Sequence, residues 1–121
     1  MSDLTAGQIA YLTQQRIGRL ATVRPDGQPQ VNPVSCYYNP GTGTIDIGGH
    51  NMAQSRKYRN VSLHPLAAVV FDDMQGPDGT RCLEIRGPAE AIAQPTDSAA
   101  RTPGAIVRIS PHRVISWGFD R

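Results

Sequence analysis

The sequence predicts a mainly β fold: a six-stranded antiparallel β-barrel with short helices. Three observations carry this. The 121 residues include 12 glycines and 10 prolines, a density that favours turns and short elements over long helices. Several stretches alternate apolar and polar residues with period two, the pattern of antiparallel strands with one buried face. About six such stretches at short spacing suit a small barrel, which also removes the exposed edges that open sheets leave. A hydrophobic fraction of 39% supports a modest core, and the length is that of one domain spanning 1–121.

The elements follow in order. "LTAGQI" opens a helix over 6–15, with Thr5 as N-cap, Gln8 completing a capping box and Leu4 and Ile9 at the staple positions. Gly18 is expected to end it. Strands at 19–24, 29–38 and 43–48 surround the turn sequences "PDGQ" and "NPGTG". In the third, Ile45 and Ile47 alternate with Thr44, Asp46 and Gly48. Residues 51–60 break the strand pattern and read as a short helix, with Asn51 as N-cap and Asn60 at a left-handed cap position. "LAAVVFDD", 66–73, is a buried strand; "MQGPDGT" is a loop; 81–92 alternates again, with Pro88 marking a bulge or an edge. "AQPTDSAARTPG" is a loop or weak helix, and "AIVRISPHRVISWGF" is a last strand broken at Pro111.

Composition excludes several functions. A net charge of +2 and 6% aromatic residues give no footprint for nucleic acid, including the barrel type that stacks bases on aromatic strands. No window approaches the ~18 apolar residues of a membrane span. The start lacks a basic region followed by an apolar run, so no signal peptide is expected. Cys36 and Cys82 form no CxxC and no metal-ligand spacing with the three histidines. A cytoplasmic protein with reduced thiols and no metal is the expectation. Asp72 and Asp73, adjacent on a strand, face opposite ways and cannot pair as acid and base. No P-loop, dinucleotide-binding glycine motif or nucleophile–histidine–acid context is present.

Lys57 is the one lysine in a chain with eleven arginines, an imbalance that fits a GC-rich genome. It sits in "SRKYR", 55–59. On a helix Arg56, Lys57 and Arg59 crowd within about one turn and repel by a few tenths of a kcal/mol per close pair. An anion relieves that repulsion, and Ser55 adds a hydroxyl. The charge pattern reads either as a phosphate site or as a solvated basic face. The glycines of "GGHN", 48–51, permit close approach of a ligand to backbone or form a plain tight turn, and His50 alone is a weak signal. Pro33 within "VNPVS" asks for an edge or a bulge. Trp117 reads as core or interface packing rather than as a ligand contact.

In order along residues 18–118, "GRLATV.PDG.P.V.PV", "T.DIGGH", "S.KYR.V", "EIRG.AE" and "RI.P.RV.SWG" resemble the split-barrel, FMN-binding-like superfamily of pyridoxamine 5′-phosphate oxidase. Within it the chain is most similar to actinobacterial oxidoreductases that use the deazaflavin coenzyme F420. The resemblance implies a homodimeric split barrel with its site at the subunit interface. It implies that Ser55, Arg56 and Lys57 hold the cofactor's phosphate, and that Asn32, Pro33, Val34, Gly49 and His50 border the ring. Hydride transfer to a small organic substrate is the implied chemistry; no catalytic acid is named. FMN is the alternative cofactor, and a non-catalytic flavin, deazaflavin or haem carrier the alternative function. An F420 tail asks for extra cations at the barrel rim, with Arg24, Arg81 and Arg101 the candidates. The 71–82 and 94–103 connections are short beside many relatives, and the resemblance implies that these segments help shape the substrate pocket.

Overall fold

A computed structural model describes residues 3–96 and 104–119. Helix α1 (Ala6–Gln15) carries the expected capping box: the Thr5 hydroxyl accepts from the Gln8 N–H at 3.1 Å, and the Gln8 side chain accepts from the Thr5 N–H at 2.9 Å. Gly18 does not end this helix. Arg16 takes the left-handed position, φ 61°, donating its N–H to the Leu12 carbonyl and accepting the Cys36 N–H at 2.7 Å. Two backbone hydrogen bonds thus hold a conformation that non-glycine residues seldom adopt. Gly18 lies in the first strand, where a Cβ would come within 2.8 Å of Val69 and 2.9 Å of Phe71, so close packing rather than capping requires it.

Seven strand segments follow: β1 (Ile17–Val23), β2 (Pro29–Asn39), β3 (Thr44–Gly48), β4 (Leu66–Gly76), β5 (Gly79–Ile92), β6 (Ile106–Ile109) and β7 (Arg113–Trp117). Their order is β4-β1-β2-β3-β6-β5, and β5 pairs back onto β4. Six antiparallel strands therefore close the expected barrel. The predicted last strand is β6 and β7, divided at Pro111 as anticipated. Strand β5 serves both halves: residues 82–86 pair with β7 and 89–92 with β6. The switch falls at Gly87–Pro88, where Pro88 had marked an irregularity. Gly87 is required there because a Cβ would run into the Ser110 carbonyl oxygen.

The segment 74–80, expected as a loop, is mostly strand. The β4–β5 ladder extends to Gly76 opposite Gly79, with a register shift between Asp73 and Gly76. Of the segment expected as a loop or weak helix, 93–96 holds neither helix nor strand, and 97–103 lie outside the described residues.

Leu20, Ile45, Ile47, Phe71, Leu83, Ile85, Val107 and Ile109 fill the barrel. Helix α1 packs Tyr11 and Leu12 into this core from the end where β1 begins. Helix α2 (Arg56–Leu63) covers the other end of β1, where Asn60 Nδ2 donates to Thr22 Oγ1 at 3.0 Å. This helix departs from the expected 51–60. Asn51 is left-handed, φ 55°, with no side-chain cap bond; Met52–Gln54 make a 3-10 turn; and Ser55 is the N-cap, accepting from the Tyr58 N–H at 3.3 Å. Asn60 is not at a cap. It is buried inside the helix because its amide serves tertiary partners.

The alternation in β3 also ends differently. Asp46 points away from Ile45 and Ile47, yet it is fully buried. Arg108 donates to both of its oxygens, with Asn39 Nδ2 and Thr44 Oγ1 adding bonds of 3.0 and 2.8 Å. Among the described residues no helix is long and apolar enough to cross a membrane.

Candidate functional site

The strand ladder leaves one edge open. Strand β2 pairs with β1 over Pro29–Ser35, but with β3 only from Ser35 to Asn39. Among the described residues, 29–34 have no strand on the side away from β1. Asn32, Pro33 and Val34 lie on this open edge, which suits a proline. Asn32 is half-buried and Pro33 exposed, whereas the Val34 side chain is buried and offers a ligand only its backbone.

Hydrogen bonds tie that edge to the basic helix. Gln30 Nε2 donates to Asn32 Oδ1 at 2.7 Å, and Asn60 Nδ2 donates to Gln30 Oε1 at 3.3 Å. Asn60 follows Arg56 by four residues and Lys57 by three, so the three share one side of α2. The other end of the edge is tied as well. Ser35 stands opposite Gly48. A Cβ on Gly49 would lie 3.9 Å from Met52 Cε, and the Ser55 hydroxyl donates to the Met52 carbonyl at 2.6 Å. The circuit Asn32–Ser35–Gly48–Gly49–Met52–Ser55–α2–Asn60–Gln30 is therefore continuous. It joins all the predicted site residues except His50, whose exposed side chain makes no hydrogen bond or ion pair among the described residues. Neither Gly48 nor Gly49 has a positive φ, so the turn at 48–51 draws its left-handed residue from Asn51 instead.

Charge is uneven around the circuit. Arg56 and Arg59 are exposed and Lys57 half-buried, and no carboxylate pairs with any of them among the described residues. Ser55 places its hydroxyl at the same helix start, though there it already caps the helix. Unpaired cations at a helix N-terminus form the donor set that a phosphate requires, so these residues fit the phosphate end of a flavin or deazaflavin. Two of the three candidate tail cations are engaged elsewhere. Arg24 pairs with Asp26, and Arg81 pairs with Asp73 at 2.7 Å while lying 4.8 Å over the Tyr11 ring. Arg101 lies outside the described residues.

The other candidates resolve simply. Asp72 pairs with Arg19 and Asp73 with Arg81, on opposite faces as the strand period required. The hydrogen bonds from Arg81 hold the Asp73 carboxyl down at about 2. Burial, with the neighbouring Asp73 charge, pushes the Tyr11 hydroxyl up to about 12. Cys36 and Cys82 are both free and buried; burial raises both thiols, Cys36 to about 12, so neither is a ready nucleophile. Trp117 is not core: it is 53% exposed.

Sequence reasoning missed a cleft of about 640 Å³ lined by the end of α1, the start of β1, the second half of β2 and Gly48–Gly49. It draws on three separate stretches of chain, 13–17, 35–38 and 48–49, so no short motif marks it. It also missed the Asp46–Arg108 pair. The available signal was a lone Asp in "TIDI" and a lone Arg in "IVRI", each flanked by apolar residues.

Residues 5–118 match the pattern of one known family: pyridoxamine 5′-phosphate oxidase. The chain belongs to this family. A relative in Streptomyces rimosus, 5a,11a-dehydrotetracycline/5a,11a-dehydrooxytetracycline reductase, is 40% identical over 121 residues, covering 96% of this chain and 84% of the relative. A conserved hypothetical protein from Mycobacterium tuberculosis, Rv2991, is similar in fold at a TM-score of 0.78 and 22% identity, over 98% of this chain and 86% of that one. An F420 reductase is similar at a TM-score of 0.70 and 25% identity, over 93% and 98% of the two chains. The match to a reductase along nearly the whole chain places the protein among the oxidoreductases of the pyridoxamine 5′-phosphate oxidase family.

Proposed function

We propose that this member of the family is an F420-dependent reductase acting on a small organic molecule with an electrophilic double bond. The observation that carries the cofactor reading is the set of unpaired cations on the first turn of α2, joined by a continuous circuit to the open edge of β2. Bound there, the reduced deazaflavin supplies the hydride. Arg56, Lys57 and Ser55 hold its phosphate, with Lys57 as a compact charge and Arg56 as a planar fork. Ser55 rotates its hydroxyl from the Met52 carbonyl to do so. Asn32, Pro33, the Val34 backbone, Gly49 and His50 border the ring. The reductase from Streptomyces rimosus and the F420 reductase support this reading.

FMN is the second reading, and one observation favours it. FMN ends at its phosphate, whereas the F420 tail asks for further cations, and Arg24 and Arg81 are already paired with carboxylates.

A homodimer with the site at the interface is part of the same proposal. On the outer barrel face Val31 is 65%, Ile17 47% and Trp117 53% exposed. Register places Val31 beside Ala21 and Ala68, and Pro33 beside Arg19 and Val70. These exposed apolar side chains, with Arg19 among them, support that reading.

Titrating the purified chain with F420 and with FMN, followed by fluorescence, tests the cofactor. Tighter F420 binding is expected; tighter FMN binding selects the second reading. Binding with no turnover of enones, quinones or nitroaromatics would mean a carrier rather than an enzyme.

A further inference from the structure

The cleft beside Gly49 has a chemistry of its own. Its volume, about 640 Å³, falls within the usual range for small-molecule sites, roughly 300–1,000 Å³. One charged residue lines it, Arg16, and no aspartate or glutamate does. Five other arginines pair with carboxylates, whereas Arg16 pairs with none among the described residues. The Cys36 thiol in the wall is pushed up to about 12 by burial, so it stays protonated and adds no negative charge. Ser35, Tyr37 and Tyr38 add hydroxyls and two aromatic rings to the lining.

The Arg16 backbone is also held in place, while its side chain is exposed. The left-handed conformation is locked from both sides, by the bond to Leu12 in α1 and the bond from Cys36 in β2. Strain of this kind persists where surrounding structure over-determines it, and such residues cluster at binding sites. An unpaired guanidinium carried on a fixed backbone, at a cleft with aromatic walls, selects a flat ligand bearing an oxyanion.

We propose that this cleft is the acceptor-substrate subsite and takes a planar molecule with an acidic enol or phenol, whose oxyanion Arg16 binds. The word acceptor rests on the proposed function, because Gly49 is common to the cleft wall and the cofactor circuit. The preference for an oxyanion does not rest on it.

Two probes of one shape test the preference by calorimetry at neutral pH: 4-hydroxycoumarin, an acidic enol that is ionised there, and its neutral 4-methoxy ether. The wild-type chain is expected to bind the enolate about tenfold more tightly, the scale of one charge-assisted bond. Arg16→Gln removes that difference, and Arg16→Lys keeps part of it. Arg16→Gly accepts the left-handed backbone without strain, so its loss of discrimination cannot be ascribed to misfolding. Equal binding of both probes by the wild-type chain would overturn the proposal, as would a preference that survives in Arg16→Gly. F420 affinity is expected to be unchanged in all three variants. A wild-type chain that discriminates between the coumarins yet ignores F420 upholds the oxyanion site and rejects the F420 reading.

Discussion

Asp46 on β3 and Arg108 on β6 stand opposite one another and share two hydrogen bonds of 2.9 Å, Nε to Oδ1 and Nη2 to Oδ2. The Asp46 side chain is 0% exposed and that of Arg108 13%. Asn39 bonds the same carboxylate and also accepts the N–H groups of the 41–43 turn, so the pair braces the β2–β3 turn against β6. Removing one partner leaves a buried charge unmatched. Asp46→Ala is expected to destabilise the fold by about 3–5 kcal/mol, read as a fall in the urea midpoint. The double change Asp46→Leu with Arg108→Met, which removes both charges, is expected to recover most of that loss.

Glycine contacts give a second expectation. At Gly18 the neighbours of an added methyl are side chains of Val69 and Phe71, which can shift. At Gly87 the neighbour is the Ser110 carbonyl, fixed where β5 changes partners. Gly18→Ala should cost about 1–3 kcal/mol, the usual range for overpacking. Gly87→Ala should cost more, or prevent folding. Thermal melts of the two variants compare them directly.

The Asn60 amide gives a third. Its donors reach Thr22 and Gln30, the latter leading to Asn32 on the open β2 edge. Asn60→Leu should destabilise by about 1–3 kcal/mol, because buried polar partners lose their bonds. If the circuit is the cofactor site, cofactor affinity falls too, even in buffer where the variant is fully folded.

Acid stability supplies a fourth. Asp73 sits at about 2 in the folded chain against 3.8 for the free carboxyl, chiefly through its hydrogen bonds from Arg81. Between those values the unfolded chain binds the proton more readily than the folded one. The contribution is therefore complete above about pH 5 and is lost as pH falls toward 2. Arg81→Gln should flatten this acid limb in urea midpoints taken from pH 2 to 6, while also losing the contact over Tyr11.

Local chemistry was legible in the sequence and tertiary chemistry was not. The α1 start was readable because Thr5 and Gln8 satisfy each other within one turn. The strands were readable because a two-residue period needs no distant partner. The end of α1 was misread because Arg16 is held left-handed by Cys36, twenty residues away, while Gly18 is needed for packing against β4. Asn51 looked like a cap, yet Ser55 holds that role because the 3-10 turn uses the residues between. The basic helix could be seen, but not its link to Asn32, which runs through Asn60 and Gln30. Asp46 alternated as a surface residue should; only the pairing of β3 with β6 shows why it is buried.

The most direct test of the central claim is a calorimetric titration of F420 into the wild-type chain and into Lys57→Ala, with circular dichroism confirming the fold of both. Wild-type binding, weakened in Lys57→Ala by roughly 1.5–3 kcal/mol, is the expected result for a lost charge-assisted bond to phosphate. Equal affinity in two folded proteins would remove Lys57 from the site and contradict the account of α2 as the phosphate-binding helix.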